Sequence, residues 1–155
     1  MSEAGDDQRL TLRELVFGTF GGIHLLVQTL LSLLAFIVSA SAADPTGTLK
    51  FQSFVLFLVF AGSLVTFSLI YFDSYQQLPA FLRELYVIIA FYGLGVLVTI
   101  IIGLSLSFSS EDKHASHKAA GVMSVLTGVV LAYKFSQYFR IHQRQGPGPM
   151  DRYPL

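Results

Sequence analysis

Four long runs of uncharged, largely apolar residues constrain this 155-residue chain more than any other feature. They cover residues 15–38, 51–72, 85–108 and 119–139, and the only charged side chain within them is Lys134. A helix needs about 20 predominantly apolar residues to cross the hydrocarbon core of a bilayer. Four buried helices of a soluble protein would need more polar covering than a chain with 13% charged residues supplies. The sequence therefore predicts an all-α, integral membrane four-helix transmembrane bundle with short loops.

Charge distribution predicts how the four spans face. Six arginines lie before the first span, in the second connection and after the fourth span, whereas three lysines lie in the first and third connections: Arg9, Arg13, Arg83, Arg140, Arg144 and Arg152 against Lys50, Lys113 and Lys118. Because cytoplasmic loops carry the excess of cations, both termini are expected in the cytoplasm, in the plasma membrane or in vesicle membranes. Near the end of the fourth span, the stem of Lys134 could extend to the headgroups beside Tyr133 and Tyr138.

The domain organisation that follows is simple. We expect a disordered cytoplasmic leader over residues 1–10, a four-span domain over 11–144, and a flexible cytoplasmic tail over 145–155, which is rich in Gly and Pro. The connections between the spans have about a dozen residues each, too few to fold as separate domains.

Several function classes are disfavoured by composition. The formal net charge is zero, which argues against nucleic-acid binding, and the absence of Cys excludes disulfides and thiolate metal sites. The chain has no nucleophile elbow, phosphate-binding loop or paired catalytic carboxylates, so we expect no enzymatic activity and no cofactor. Glu111, Asp112, His114 and His117 form an acidic-histidine cluster, which we interpret as a solvated loop in preference to a metal site.

Small side chains recur along the predicted helices and mark faces where another helix can approach closely. The fourth helix has Ala120, Ser124, Gly128 and Ala132 at intervals of four, the third has Gly95, Thr99 and Gly103, and the first has Gly18 and Gly22. In lipid, close packing of such faces drives helix association. Two interpretations stay open: packing within one bundle, or contact of one stripe, with Gly18 and Gly22 the best candidate, with a partner membrane protein or a second copy. Large residues on the other faces, notably the Phe residues of the second helix, are expected to contact membrane lipids.

His24 and Gln28 are the only strongly polar side chains well inside the predicted spans. They lie one helical turn apart on the first helix, and charged or exchangeable groups at membrane depth are typical of transport sites. A neutral His24 that hydrogen-bonds Gln28 or a neighbouring helix is the favoured interpretation. An intramembrane polar site of a small transporter or channel subunit is the alternative.

The arrangement resembles the MARVEL-domain family of four-span membrane proteins, from about Leu10 to Arg144. A basic leader enters the first helix as Leu12 to Val16, the loops are short, and Lys118 to Val122 leads through a small-residue helix to Tyr133 and then to Tyr138, Phe139 and Arg140. The extracellular cysteines of some members are missing, so nothing that depends on a disulfide transfers. The resemblance implies a non-enzymatic protein that organises membrane domains, vesicle trafficking or junctions, or that stabilises a partner membrane protein.

Overall fold

The computed structural model describes residues 20–42, 46–72, 74–108, 115–146, 148 and 149. Four long helices account for most of them: α1 Phe20–Ala40, α2 Gly47–Tyr71, α3 Leu85–Ser107 and α4 Ala115–Gln145. A short 3₁₀ turn, Tyr75–Gln77, and a one-turn helix, Ala80–Arg83, lie between α2 and α3. Within the described ranges the only bridge of β type is an isolated one between Glu84 and Pro149. The prediction of an all-α fold with four long apolar helices is confirmed, since each of the four is long and apolar enough to cross a membrane.

Local chemistry explains where two of these helices begin and end. Thr46 precedes α2 as its N-cap, and its hydroxyl accepts a hydrogen bond from the Leu49 backbone N–H at 3.3 Å. Helix α2 therefore begins at Gly47, four residues before the apolar run. Helix α4 ends where Gly146 takes a φ of +74°, a conformation that favours glycine, and donates its N–H to the His142 carbonyl at 2.9 Å.

The helices form a ring in the order α1, α2, α3, α4. The most extensive contact is between α3 and α4, followed by α1 with α2 and then α1 with α4, whereas α2 and α3 meet over a much smaller area. Gly148, which follows α4 in the chain, contacts the start of α3. Its carbonyl accepts a hydrogen bond from the Leu85 backbone N–H at 3.3 Å. One side of the ring, between α2 and α3, is consequently the most open.

The bundle has an apolar outer surface and an interior in which polar and apolar side chains are both buried. Buried positions include many polar side chains, among them Gln28, Ser32, Gln52, Ser63, Thr99, Ser124, Thr127 and Lys134. Large apolar side chains instead face outward, and on α1 they recur every three or four residues at Ile23, Val27, Leu30, Leu34 and Ile37. The outer face of α3 has the same spacing at Leu94, Leu97, Ile101 and Leu104. The apolar outer surface differs from that of a water-soluble helical protein, where charged and polar residues cover the outside.

Two side chains expected near the membrane interface lie inside the bundle. Lys134 and Tyr138 are each only 1% exposed, and the Tyr138 ring packs against Tyr92 with their centroids 5.3 Å apart. The physical reason is that α4 continues to Gln145 and both residues lie on its buried face, three and seven residues after the buried Leu131. The apolar run stops at residue 139 because the following side chains are polar, but hydrogen bonding continues the helix beyond it.

Candidate functional site

Helices α3 and α4 approach closely at two glycines, Gly103 and Gly121. A Cβ atom placed on Gly121 would lie 2.7 Å from the Gly103 carbonyl oxygen and 2.8 Å from the Ser107 backbone nitrogen. In return, a Cβ on Gly103 would lie 2.9 Å from the Gly121 carbonyl oxygen. Because these atoms belong to the backbone, neither neighbour can rotate away. Glycine at both positions is what allows the two helices to approach this closely.

A second close contact lies two turns along the same interface. A Cβ on Gly128 would lie 2.6 Å from Ile100 Cγ1 and 2.8 Å from Thr99 Oγ1. Between the two contacts, the buried Ser124 hydroxyl donates to the Thr99 backbone carbonyl of α3 at 2.9 Å. The Thr99 hydroxyl donates within its own helix, to the Gly95 carbonyl at 2.6 Å. Packing and an interhelical hydrogen bond therefore act together along this face.

The other small residues singled out in the sequence occupy varied positions. Gly95 faces α4, where an added Cβ would make an ordinary 3.4 Å contact with Leu131. Ala120 is fully buried and its carbonyl accepts from Gln52, whereas Ala132 is only half-buried. Gly22 is buried in α1. Gly18 lies outside the described residues, as do Glu111, Asp112 and His114.

The buried face of α4 does not follow the predicted row of small residues spaced four apart. Four residues turn a helix by about 400°, so the row drifts by about 40° at each step. The buried residues of α4 instead recur every three or four residues, with two adjacent pairs at Ala120 and Gly121 and at Thr127 and Gly128: His117, Ala120, Gly121, Ser124, Thr127, Gly128, Leu131, Lys134 and Tyr138. This spacing keeps one face toward the other helices along the whole of α4. It also includes Gly121, which the row of fours passes over and which its position three residues before Ser124 and seven before Gly128 could have indicated.

His24 is held against α4. Its Nε2 lies 3.2 Å from the Val130 carbonyl oxygen, and its ring lies 4.6 Å from that of Tyr133, between centroids. A hydrogen bond to a carbonyl requires the tautomer with the proton on Nε2. The contact joins α1 to α4 and leaves His24 half-buried.

Gln28 reaches across to α2. Its Nε2 donates to the Ser63 hydroxyl oxygen at 2.7 Å, and the residue is only 3% exposed. Ser63 in turn donates to the Val59 carbonyl at 2.8 Å. Since a hydroxyl has one hydrogen, Ser63 can only accept from Gln28, which fixes the orientation of the glutamine amide. No hydrogen-bond partner for Gln28 Oε1 occurs among the described residues.

Gln28 also lines a cleft on the open side of the ring. A cleft of about 230 Å³ lies between α2 and α3, with Gln28 of α1 and Tyr138 of α4 among its lining residues. Its other walls are mostly apolar and include Leu69, Ile88 and Phe91. His24 does not line this cleft. The two polar residues of α1 thus serve separate contacts, one toward α4 and one toward α2 and the cleft.

A second buried glutamine was not singled out from the sequence. Gln52 is 1% exposed in α2, and its Nε2 donates to the Ala120 carbonyl of α4 at 3.1 Å. Its Oε1, like that of Gln28, has no partner in the part of the chain that the structure describes. Gln52 lies close to the first residue of its apolar run, which is where an interfacial position would be expected. Its burial depends on a helix 68 residues away in sequence, so no local pattern could indicate it.

These side chains suit packing and hydrogen bonding more than bond-making chemistry. The described residues contain no group of three or more His, Asp or Glu placed to hold a metal ion. The hydroxyl groups of Ser63, Thr66 and Thr99 all donate to carbonyls of their own helices. None of these three is paired with a general base that could activate it as a nucleophile. Comparison of the chain with protein-family models, with curated proteins and with solved structures found no match in any of the three.

Proposed function

We propose that this chain is a non-enzymatic four-span membrane protein of MARVEL type. In this proposal it organises membrane domains, vesicle trafficking or junctions, or stabilises a partner membrane protein, through helix packing and contacts with lipids. Both termini lie in the cytoplasm, in the plasma membrane or in vesicle membranes.

The observation that carries the proposal is the apolar outer surface of the bundle, combined with small and polar side chains between its helices. Small and polar side chains meet between the helices, as at Gly103 and Gly121, while large apolar side chains such as Leu94 and Leu97 face outward. Without a hydrophobic force between helices in lipid, small residues and interhelical hydrogen bonds are what hold spans together. The four helices have 21, 25, 23 and 31 residues, which at 1.5 Å per residue exceeds the roughly 30 Å of a hydrocarbon core.

A scaffolding role is supported by how the polar groups are used. His24 and Ser124 contact backbone carbonyls of neighbouring helices, and Gln28 and Gln52 also bridge two helices. Each of these contacts ties one span to another. Gly103 and Gly121 already pack against each other within the bundle, so this contact is not open to a partner helix. The outward apolar faces are therefore the surfaces that meet lipids and partner helices.

A transporter or channel subunit is the second candidate, and the cleft beside Gln28 is the observation that favours it. The separation of His24 from this cleft argues against a shared polar pathway. Proton-dependent flux in reconstituted vesicles, lost in His24→Ala, would establish the second candidate.

The proposed function is tested by proximity labelling followed by removal of the chain from the cell. We expect labelled membrane proteins to change in abundance or distribution after removal, and to recover with the wild type and with His24→Phe. Phenylalanine retains the ring packed on Tyr133 but loses the hydrogen bond to Val130. Unchanged neighbours after removal would contradict an organising role. Failure of a normally expressed His24→Phe to restore them would favour the polar-site alternative.

A further inference from the structure

We propose that the α2–α3 cleft binds one acyl chain of a glycerophospholipid whose phosphate pairs with the Arg83 guanidinium. The cleft is the space of about 230 Å³ between these two helices. Leu78 and Leu82, in the connection between α2 and α3, line the cleft, and Arg83 follows directly in the chain. The inference rests on the proposed membrane location, because both the acyl chain and the headgroup come from the bilayer.

The cleft extends along the helix axes. Its α2 wall includes residues from Gly62 to Leu69, and Gly62 lies nine residues, or about 14 Å, before Tyr71 at the end of α2. Its α3 wall, from Val87 to Tyr92, lies within the first eight residues of that helix. Half of a hydrocarbon core is about 15 Å thick. The cleft therefore reaches from the helix ends to a depth near the middle of a bilayer, which is the depth that an acyl chain of one leaflet covers.

The surface that the cleft exposes is mostly apolar, although several of its residues are polar. Gln28 Oε1 and Tyr138 Oη are themselves buried, so neither atom is presented to an occupant. The Ser63 and Thr66 hydroxyls donate to carbonyls of their own helix. Tyr92 contributes an aromatic wall and is only 8% exposed. Such a surface suits methylene groups, because a polar headgroup buried there would lose its hydrogen bonds to water without full replacement.

Volume and access suit a single chain. A volume of about 230 Å³ corresponds to roughly eight groups of the size of a water molecule, at about 30 Å³ each, which is enough for a segment of one acyl chain. Val65 and Phe91 line the cleft and are also exposed on the outside of the bundle, so a chain can enter sideways from lipid. The second chain of the same phospholipid then stays in the bilayer.

Arg83 supplies the partner for the phosphate. Its Nε donates to the Leu78 carbonyl at 3.2 Å, which holds the side chain against the connection beside the cleft. Among the described residues its two Nη groups have no hydrogen bond or ion pair, although Glu84 is adjacent. Their N–H groups can therefore bond phosphate oxygens. Phe81 and Tyr86, on either side of Arg83, are exposed aromatic residues of the kind that lie at headgroup level.

The test uses two photoactivatable lipids at equal mole fraction in phosphatidylcholine vesicles that contain the purified full chain. One is a phosphatidylcholine with a diazirine midway along one acyl chain, and the other is the diacylglycerol with the same chains and no phosphate. Labelled peptides are identified by mass spectrometry, and peptides from the outer face of α1, with the exposed Leu30 and Leu34, give the level of labelling by bulk lipid.

We expect the ratio of labelling at the cleft walls to labelling at the outer face of α1 to be about three- to tenfold higher for the phospholipid than for the diacylglycerol. This is the range for one added hydrogen bond. Equal ratios for the two lipids would overturn the contact with the phosphate. Cleft walls that neither lipid labels above the level of α1 would overturn the site itself.

Charge variants separate the headgroup from the chain. Arg83→Gln is expected to reduce phospholipid labelling of the cleft to the level of the diacylglycerol without changing diacylglycerol labelling. Lys50→Gln is the matched control, because it also removes one exposed cation but lies at the opposite end of α2, about 30 Å away. It should leave labelling by both lipids unchanged. Unaltered phospholipid labelling in Arg83→Gln would refute the assigned role of Arg83.

A filled cleft keeps the test decisive if Arg83→Gln disturbs the connection. Gly62 lines the cleft, and a Cβ there would meet only Phe91, at an ordinary 3.8 Å. Gly62→Leu should therefore reduce cleft labelling by both lipids to the level of α1. Ala90→Leu, at an exposed position of α3 outside the cleft, is the matched control and should leave labelling unchanged. Equal labelling of the two variants would contradict binding in the cleft.

Flotation of the chain with vesicles is measured separately. A chain that does not float refutes the membrane location, and with it the proposed function. A chain that floats but shows no preference for the phospholipid at the cleft refutes only the ligand.

Discussion

Gly121→Ala is the substitution that most sharply tests the packing of α3 against α4. The new methyl group would lie 2.7 Å from the Gly103 carbonyl oxygen and 2.8 Å from the Ser107 backbone nitrogen. To restore an ordinary contact of about 3.4 Å, the two backbones must separate by roughly 0.7 Å. A gap of 0.5–1 Å already forfeits about a quarter to a half of each van der Waals contact beside it.

The expected cost is near the upper end of the range for overpacking, about 2–3 kcal/mol, because backbone cannot rotate away as a side chain can. Gly62→Ala provides the matched control, since it is also a mid-helix Gly→Ala change but its Cβ would lie an ordinary 3.8 Å from the Phe91 ring. Both changes replace Gly with Ala, a better helix former, inside a helix. The difference in stability between the two variants therefore measures the steric cost at Gly121. For a chain of this size, about 2–3 kcal/mol corresponds to a difference in Tm of roughly 4–12 °C.

The assay is thermal unfolding of the detergent-solubilised protein, followed by size-exclusion chromatography of the fraction that remains folded. Gly121→Ala should unfold at a clearly lower temperature than Gly62→Ala. Equal Tm values for the two variants would show that α3 and α4 do not approach at Gly121 and would refute the packing argument.

Two further predictions concern the same interface. Gly128→Leu should lower the stability by about 1–3 kcal/mol, because a Cβ at this position would lie only 2.6 Å from Ile100 Cγ1. Phe57→Leu on the outer face of α2 should have little effect, and equal stability of the two variants would place Gly128 outside the interface. Ser124→Ala removes the hydrogen bond to the Thr99 carbonyl and should lower the stability by about 0.6–1.7 kcal/mol. Ser136→Ala is the control and should have almost no effect, because the Ser136 hydroxyl donates to a carbonyl of its own helix. The measurement is again Tm, and a Ser124→Ala variant as stable as Ser136→Ala would contradict an interhelical role.

The four long helices could be predicted because apolar runs of this length have few alternatives. The ends of the helices could not be predicted in this way, since hydrophobicity indicates which residues suit lipid and does not indicate where helical hydrogen bonding stops. Thr46 and Gly146 set the start of α2 and the end of α4 through a side-chain cap and a positive φ. Both lie outside the apolar runs.

The candidate site was predictable to a similar degree. Small side chains on α3 and α4 indicate a face suited to close packing, and Gly103 and Gly128 do lie in that contact. Which residue meets which depends on how the helices cross, so the pairing of Gly103 with Gly121 is not visible in either helix alone. The cleft needs residues from all four helices and the connection between α2 and α3, and its shape depends on a pair of helices that meet over only a small area.

The central claim is that the four helices cross a membrane with both termini in the cytoplasm. Labelling of single cysteines tests it directly, because the chain has no native Cys. Thr48→Cys, Ala115→Cys and Gln76→Cys each place a thiol at an exposed position, the first two at the starts of α2 and α4 and the third in the connection between α2 and α3. In intact cells with the protein at the surface, a membrane-impermeant maleimide should label the first two and reach Gln76→Cys only after permeabilisation. Labelling of Gln76→Cys alone would reverse the orientation, and protection of all three until permeabilisation would contradict a membrane-spanning bundle.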